Sequence, residues 1–260
     1  MTSRRSGPRY HGEPPLYLTS RLLSHAGLPH LFSTRHLPGV RAWKDPRGPL
    51  DASALAQVDR GGLPADGFAF ARQVHGAGLV VATRAGSLGR ADVLVTERPG
   101  LPLAIFTADC LPIVVYDRPN RRLAMAHAGW RGTVEAAARV AVNALVEAGG
   151  RPERFLAAIG PSIGPCCYEV DAPVVDRLEA AFPGAWRAWV TATCPGKWML
   201  DLWKANEDQL KEAGVSDAQI DNPKLCTACR ADLFFSYRRG RGEGRLVALA
   251  AIPDGPDPAC

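Results

Sequence analysis

The sequence contains no apolar run that approaches the roughly 20 residues needed to cross a bilayer. Its basic N-terminus is followed by Ser, Gly and Pro rather than by the apolar core of a secretion signal. Its seven cysteines are an odd number, so they cannot all pair within one chain. These absences argue against a membrane protein and a secreted disulfide scaffold, and we expect reduced thiols and a cytoplasmic location.

A large excess of one charge is also missing, since 31 Lys and Arg residues stand against 26 Asp and Glu, a net charge of +5. A small basic excess favours anionic small molecules such as phosphate and does not indicate nucleic acid. The content of 47% hydrophobic and 22% charged residues is typical of globular proteins and excludes disordered and fibrous classes. We expect neither a nucleic-acid nor a membrane partner, and the oligomeric state stays open, a monomer included.

The chain lacks an internal repeat and a Gly-rich linker that would divide it. Residues 1–15 show no periodicity and are predicted to be a flexible tail, with one catalytic domain over 16–260. Strands outnumber long helices in the first half, and the two alternate only in part. This pattern favours an α+β fold, a single domain with mixed β-sheets layered against flanking helices.

Short apolar runs bounded by turn residues predict strands, and longer runs with apolar residues at helical spacing predict helices. The predicted strands are Gly78–Ala82, Ala91–Thr96, Leu101–Phe106, Pro112–Tyr116, Leu123–His127, Phe155–Ile159 and Val247–Ile252. The predicted helices are a short one near Ala54–Val58 with Ser53 as N-cap, one that begins after Thr133 as N-cap, Ala172–Ala181 and Leu202–Ala213.

Two of the six histidines, His75 and His127, lie beside predicted strands and are followed by small residues that leave room for a ligand. Cys110 lies between them, in the turn that joins two apolar strands. One Cys and two His make a ligand set for zinc that leaves a fourth position open, as in catalytic sites. The spacing matches no local zinc motif, so the alternative is two hydrogen-bonded histidines and an ordinary buried thiol.

The turn after His127 reads Gly-Trp-Arg-Gly and opens a helix. Free N–H groups at a helix start, together with Arg131, predict an anion site, whereas Arg131 could equally be a plain surface charge. Two cysteine pairs, Cys166–Cys167 and Cys226–Cys229, are interpreted as structural or incidental. The chain has no second CxxC, and adjacent cysteines rarely chelate one metal.

Several motifs in this order make the chain resemble the YfiH-type family, also called the laccase-domain or polyphenol oxidase family, over about residues 28–252. The motifs are Gln73–Gly76, Thr107–Pro112, His127–Gly132, Ile159–Pro165 with Tyr168–Val170, and Phe234–Arg239. The resemblance implies a purine nucleoside phosphorylase that also deaminates adenosine and cleaves methylthioadenosine. It also implies a zinc ion held by His75, Cys110 and His127, the same three residues that the chemistry selects.

Arg35 matches the N-terminal motif of this family and is expected to face the substrate pocket. The segment 36–50 departs from the family pattern, because the Gly-rich turn and the Asn-Leu-Gly segment after that arginine are missing.

For deamination we expect zinc-activated water to attack C6 of adenine. Asp109 is a candidate proton carrier or orienting residue, or alternatively a buried capping carboxylate. Arg131, Arg35 and the helix start near Thr133 are candidates to hold phosphate.

Three other interpretations compete with this one. A copper-dependent phenol oxidase is disfavoured because multicopper sites need many histidines in His-x-His pairs, and the chain has no such pair. A cysteine hydrolase of cell-wall precursors would use Cys110 as nucleophile and a histidine as base. A non-enzymatic metal- or partner-binding domain would keep the fold and the metal without turnover.

Overall fold

The computed structural model describes residues 7–38, 62–63, 67–240 and 243–255. The strands within these ranges are β1 (Arg9–His11), β2 (Tyr17–Thr19), β3 (His30–Ser33), β4 (Ala69–Arg72), β5 (Leu79–Val81), β6 (Gly86–Arg90), β7 (Val93–Thr96), β8 (Leu103–Thr107), β9 (Leu111–Asp117), β10 (Arg122–Ala128), β11 (Phe155–Ile159), β12 (Glu169–Asp171), β13 (Val190–Cys194), β14 (Lys197–Leu200), β15 (Ile220–Asp221) and β16 (Leu246–Ala250).

The strands form two large mixed sheets and a small three-stranded one. The larger sheet has the order β1-β2-β3-β16-β8-β4-β6, and the second has the order β15-β11-β9-β10-β7-β5. Most neighbours are antiparallel, but β4 is parallel to β6 and β8, β5 to β7, and β11 to β15. The expected mixed sheets are therefore confirmed.

The α-helices within these ranges are α1 (Arg21–His25), α2 (Trp130–Val134), α3 (Ala137–Glu147), α4 (Ala172–Ala181), α5 (Leu202–Glu212) and α6 (Tyr237–Gly240). The alternation of β10 explains how they are layered, because successive side chains of a strand point to opposite faces. Leu123 and Met125 are buried in the core shared with the larger sheet, whereas Ala124 and Ala126 are buried in the core shared with the helices. The second sheet is thus the middle layer, with the larger sheet on one side and α3 and α5 on the other.

The predicted helix after Thr133 begins earlier than expected. Gly129 is the N-cap of α2, and the Thr133 N–H donates to the Gly129 carbonyl at 2.8 Å inside that helix. Ala136 then adopts a left-handed conformation, with φ of 57°, which ends α2 and separates it from α3. The sequence prediction of Thr133 as N-cap was wrong because a second, short helix precedes the periodic one.

The remaining predicted elements lie close to their expected bounds. Helix α4 matches its prediction at both ends, and α5 ends one residue early. The described part of the predicted tail over 1–15 requires a correction: Arg9–His11 forms β1, which pairs with β2 and thereby adds an edge strand to the larger sheet. The predicted helix near Ala54–Val58, with its N-cap Ser53, lies outside the described residues.

No helix among the described residues is both long enough and apolar enough to cross a membrane.

Candidate metal centre and its cleft

The three predicted ligands lie where the chain passes between layers. His75 lies on the connection from β4 in the larger sheet to β5 in the second sheet. Cys110 lies on the short turn from β8 to β9, which makes the same crossing. His127 is near the end of β10, before α2. The ends of β4, β8 and β10 therefore bring together residues that are far apart in sequence.

The ligand atoms of His75, Cys110 and His127 all lie within 4.8 Å of one another. The two imidazole rings are 5.0 Å apart between centroids and are inclined by 72°, so their edges converge rather than stack. Ligand atoms around a tetrahedral zinc ion lie about 3.5 Å apart, given bonds of about 2.1 Å to nitrogen and 2.3 Å to sulfur. The donor set and its spacing fit a metal ion with small side-chain adjustments.

A buried aspartate that sequence reasoning missed orients two of these ligands. Asp92 accepts a hydrogen bond from His127 Nδ1 at 2.8 Å and from the His75 backbone N–H at 3.0 Å. Its other oxygen accepts from the N–H groups of Gly76 and Val74 at 2.8 and 3.1 Å. Because the Asp92 contact occupies His127 Nδ1, the Nε2 atom of that ring is left to face the metal position, as metal-bound histidines usually require.

The local electrostatics favour a thiolate between two histidines. Burial alone would raise the pKa of the Cys110 thiol, but the charge of His127 and hydrogen bonds from both histidines hold that pKa below its usual value. Burial would lower the pKa of His127, yet the Cys110 charge and the bond to Asp92 raise it. Burial would raise the pKa of Asp92, and the bonds from His127 and the backbone lower it overall. A thiolate is the form of cysteine that binds metals.

Left-handed backbone conformations occur in both ligand-bearing turns. His75 has φ of 64°, and Asp109, next to Cys110, has φ of 92°. Such values cost energy for residues other than glycine and cluster at functional sites. The fold holds them here through the four bonds to Asp92 and through bonds to the Asp109 side chain.

Gly129 allows the α2 turn to approach the ligands. A Cβ atom at this position would lie 2.9 Å from the Cys110 sulfur and 3.6 Å from Cδ2 of His75. The first distance is shorter than real Cβ contacts, so any larger residue displaces the thiolate. The expectation that small residues after His127 make room at the site agrees with this geometry.

The three ligands open into a cleft of about 630 Å³. Its charged lining residues are Arg72, Asp109, Arg131, Arg238 and Arg245. Its aromatic lining residues are Phe106, Trp130, Tyr168 and Tyr237. The cleft therefore combines a metal-binding corner, flat apolar walls and positive charge, which is the usual composition of a small-molecule site.

Asp109 lines the cleft, but both of its oxygens accept hydrogen bonds from protein groups. Thr227 donates its hydroxyl to Oδ1 at 2.6 Å, and the Arg238 backbone N–H donates to Oδ2 at 2.7 Å. Arg238 lies in the first turn of α6, so this carboxylate joins the Cys110 turn to two later segments of the chain. Of the roles weighed from the sequence, these contacts support an orienting or capping role.

Arg35 does not line the cleft, contrary to expectation. Its guanidinium donates to the Ala231 carbonyl at 2.5 Å and lies 4.8 Å from the centre of the Phe235 ring. It also pairs with Glu243 at 3.4 Å. Arg35 thus fixes the segment before α6, and the arginines that reach the cleft come from elsewhere.

Arg131 is exposed and lines the cleft, as predicted for an anion-binding residue. Its guanidinium lies 4.3 Å from the Trp130 ring centre, which restrains the side chain through a cation–π contact. The Thr133 N–H, by contrast, is used inside α2 and is not a free donor for an anion. Of the groups predicted to bind an anion at the helix start, only the Arg131 side chain therefore stays a candidate. The other candidate cations in the cleft are Arg72, Arg238 and Arg245.

Arg72, Arg245 and Tyr168 also line the cleft and were not predicted from the sequence. Burial and the nearby Cys110 charge raise the pKa of the Tyr168 phenol, so it remains a neutral donor near neutral pH. Arg238 lies over the Tyr168 ring at 5.0 Å and donates to the Glu169 carbonyl at 2.9 Å. Tyr168 and Arg238 both lie in motifs that carried the family resemblance, which was the available signal.

Comparison with known proteins agrees with the motifs. Residues 47–253 match the family described as multi-copper polyphenol oxidoreductase laccase. A purine nucleoside phosphorylase from Deinococcus radiodurans is 38% identical over 238 residues, which cover 87% of this chain and 90% of the relative. A protein named adenosine deaminase RL5, from an unknown prokaryotic organism, is 39% identical over 155 residues, 59% of each chain.

The fold also has a solved counterpart. The crystal structure of the hypothetical protein YfiH from Bacillus licheniformis superposes with a TM-score of 0.84 at 29% identity. The alignment covers 94% of this chain and 98% of that one. The mixed sheets and the helix layer are therefore those of a known fold.

Proposed function

This chain belongs to the multi-copper polyphenol oxidoreductase laccase family, the YfiH-type family, and we propose that it is a zinc-dependent purine nucleoside phosphorylase. We propose further that it deaminates adenosine and cleaves methylthioadenosine at the same site. The observation that carries the proposal is the convergence of His75, Cys110 and His127 at one end of an arginine-rich, aromatic-lined cleft. The substrates would be purine nucleosides and phosphate.

The cleft has the parts that these substrates need. A purine ring packs well against flat aromatic groups, and Phe106, Trp130 and Tyr237 supply them. Phosphate is recognised by guanidinium groups, and Arg131 is the candidate that its contact with Trp130 holds in place. Tyr168 adds a neutral phenol that can donate a hydrogen bond to the substrate.

Zinc bound to one thiolate and two imidazoles would supply Lewis acidity and an acidified water at neutral pH. The protein groups around the site act on orientation. Asp92 fixes the His127 ring through Nδ1, and it also holds the His75 turn through backbone bonds. Asp109 holds the Cys110 turn against Thr227 and Arg238, so we assign it a positioning role.

The experiment is to incubate zinc-loaded protein with inosine or adenosine, with and without phosphate, and to resolve the products. Free base plus ribose 1-phosphate, formed only with phosphate, supports phosphorolysis, and inosine from adenosine supports deamination. Methylthioadenosine is assayed in the same way. The proposal fails if no nucleoside turns over with zinc bound.

Arg131→Gln separates the two reactions in this assay. Because a hydrogen bond to a charged group is worth about 1.5–3 kcal/mol, the KM for phosphate should rise about tenfold to a hundredfold. Deamination uses no phosphate and should change little. Arg139→Gln, an exposed arginine on α3, is the matched control and should leave both reactions intact. Equal effects of the two variants would contradict the phosphate role.

A cysteine hydrolase is the second candidate, because Cys110, His127 and Asp92 also have the order of contacts of a nucleophile, a base and an orienting acid. Such an enzyme needs the thiolate but not the metal. Activity that survives removal of metal by a chelator and is lost on alkylation of Cys110 would favour it. Stoichiometric copper with sustained phenol turnover would favour the oxidase interpretation instead.

A further inference from the structure

A second cluster of metal-binding side chains lies apart from the three ligands. The sulfur atoms of Cys166, Cys167, Cys226 and Cys229 all lie within 4.8 Å of one another. The first pair follows β11, and the second pair lies in a turn after β15. From the sequence we interpreted the two pairs separately, as structural or incidental cysteines, whereas the fold places them against each other.

We propose that these four cysteines bind a second zinc ion, in a closed structural site. Four thiolates around one ion are a common structural zinc set, and tetrahedral sulfur sites favour zinc or iron over harder metals. Bonds of about 2.3 Å place tetrahedral sulfurs about 3.8 Å apart. The observed sulfur–sulfur distances include 3.4 Å, between Cys166 and Cys229, and none exceeds 4.8 Å, so the required separation lies within the observed range. All four positions are filled by protein, so this ion has a structural role.

The local backbone is arranged as a thiolate site requires. The N–H groups of Gly164 and Cys229 donate to the Cys226 sulfur, the former at 3.3 Å. Such bonds around ligand atoms orient them and stabilise their charge. Cys226 is buried, while Cys166 and Cys229 are exposed, so a metal ion can enter from solvent.

The same geometry argues against a simple disulfide. Cys229 lies 3.4 Å from the sulfurs of both Cys166 and Cys167, so its position selects neither as a partner. The Cys167 N–H donates to the Gly164 carbonyl at 3.0 Å, and this tight turn brings the adjacent cysteines to one side. A single ion satisfies all four sulfurs at once.

The proposed site would brace the wall of the cleft. Thr227, between Cys226 and Cys229, donates to Asp109, and Tyr168 follows directly after Cys167. Arg239 of α6 donates to the Ala228 carbonyl at 2.7 Å. Zinc here would hold two segments, about 60 residues apart, beside the Cys110 turn without touching substrate.

The test is the zinc content of the full chain, purified under reducing conditions and dialysed against a weak chelator. We expect two zinc ions per chain in the unaltered protein and in Cys194→Ser, an exposed cysteine outside both clusters. Cys110→Ala and Cys229→Ser should each keep one, and Cys229→Ser should also lower Tm. A single zinc ion that Cys229→Ser retains and Cys110→Ala loses, or two zinc ions in Cys229→Ser, would overturn the proposal.

Cobalt substitution tests for a four-thiolate site even where Cys229→Ser fails to fold. Apo Cys110→Ala, titrated with Co2+, should bind one equivalent and develop the intense visible bands and sulfur-to-metal charge transfer of a four-thiolate site. A spectrum without thiolate ligation, iron found in place of zinc, or recovery of these cysteines as disulfides would overturn it. The result does not depend on nucleoside activity, so this proposal and the proposed function can fail separately.

Discussion

At the scale of single residues, the central feature is that Asp92 couples two ligands. Its carboxylate binds the His127 ring and the His75 backbone at the same time. The residue is fully buried beneath the cleft, where an aspartate is retained only if its hydrogen bonds are satisfied. Four donors meet that condition, so Asp92 and the ligand turns depend on each other.

We predict that Asp92→Asn weakens metal binding by about 10–100-fold, the usual effect of losing a carboxylate behind a ligating histidine. The asparagine has the same shape, but it removes the charge and directs an N–H group at other donors. Competition against a chromophoric chelator measures the affinity. Asp232→Asn, on an exposed pair with Arg230, is the control and should not change it. Unchanged affinity in Asp92→Asn would show that the carboxylate does not orient the ligands.

The sequence allowed prediction of the three ligands but not of their support. His75, Cys110 and His127 carry chemistry that is recognisable in any context. Asp92 looked like one polar residue at the start of an apolar strand, and only the packing of β7 beside the His75 turn reveals its partners. Arg35 shows the opposite error, because a motif identifies a residue but not the direction of its side chain.

At the scale of elements, the turn between β10 and α2 determines how closely the helix approaches the metal position. Gly129 and Gly132 are both within van der Waals range of the ligand region, since a Cβ at Gly132 would lie 3.1 Å from the carbonyl oxygens of Gly76 and His127. The Gly-Trp-Arg-Gly pattern is therefore a steric requirement of the turn. It was recognised in the sequence as the start of a helix, but its contact with Cys110 could not be seen there.

Gly129→Ala should lower metal affinity and activity together, because its Cβ would lie 2.9 Å from the Cys110 sulfur and must push it aside. We expect a loss of about 5- to 150-fold in metal affinity, measured with the same chelator competition, for a cost of about 1–3 kcal/mol. Gly78→Ala is the matched control, since its Cβ meets no described atom within 4 Å. If both variants bind metal like the parent, the turn is not in contact with the site.

Strand and helix positions were predicted well where periodicity was strong. The alternation in β10 correctly placed Leu123 and Met125 on one face, because successive side chains of a strand point to opposite faces. The cluster of four cysteines escaped prediction for a physical reason. The two pairs are about 60 residues apart, and only the packing of the segment after β11 against the later turn brings them together.

At the scale of the whole molecule, the mixed sheets and the helix layer followed from the counts of strands and helices, whereas the strand order did not. Strand β16, from the end of the chain, lies between β3 and β8 in the larger sheet. Such long-range pairing is set by burial over the entire fold and leaves no local trace in the sequence.

The stability of the fold should depend on pH through His30, which is buried in the larger sheet. Its Nε2 accepts the Ser20 N–H and its Nδ1 faces the Leu28 carbonyl, both at 2.8 Å, so the ring is held neutral. Burial is the main cause that lowers its pKa to about 4, from 6.5 when unfolded. The unfolded chain therefore binds the extra proton first as pH falls, and stability is lost between about 6.5 and 4.

This lowered pKa corresponds to a loss of up to about 3 kcal/mol in the free energy of unfolding over that range. Urea unfolding of the metal-free protein at several pH values measures it. His30→Gln should be less stable at neutral pH but should lose less stability on acidification. Parallel pH profiles for the two proteins would contradict the assignment.

The central claim is that nucleoside phosphorolysis depends on one metal ion held by His75, Cys110 and His127. The most direct measurement determines the bound metal and the rate of inosine phosphorolysis on the same samples of Cys110→Ala and Cys194→Ala. We predict that Cys110→Ala loses one metal ion per chain and its activity while it keeps the fold. We predict that Cys194→Ala keeps its full metal content and its activity. Full phosphorolysis by folded Cys110→Ala, or an unchanged metal content, would contradict the account.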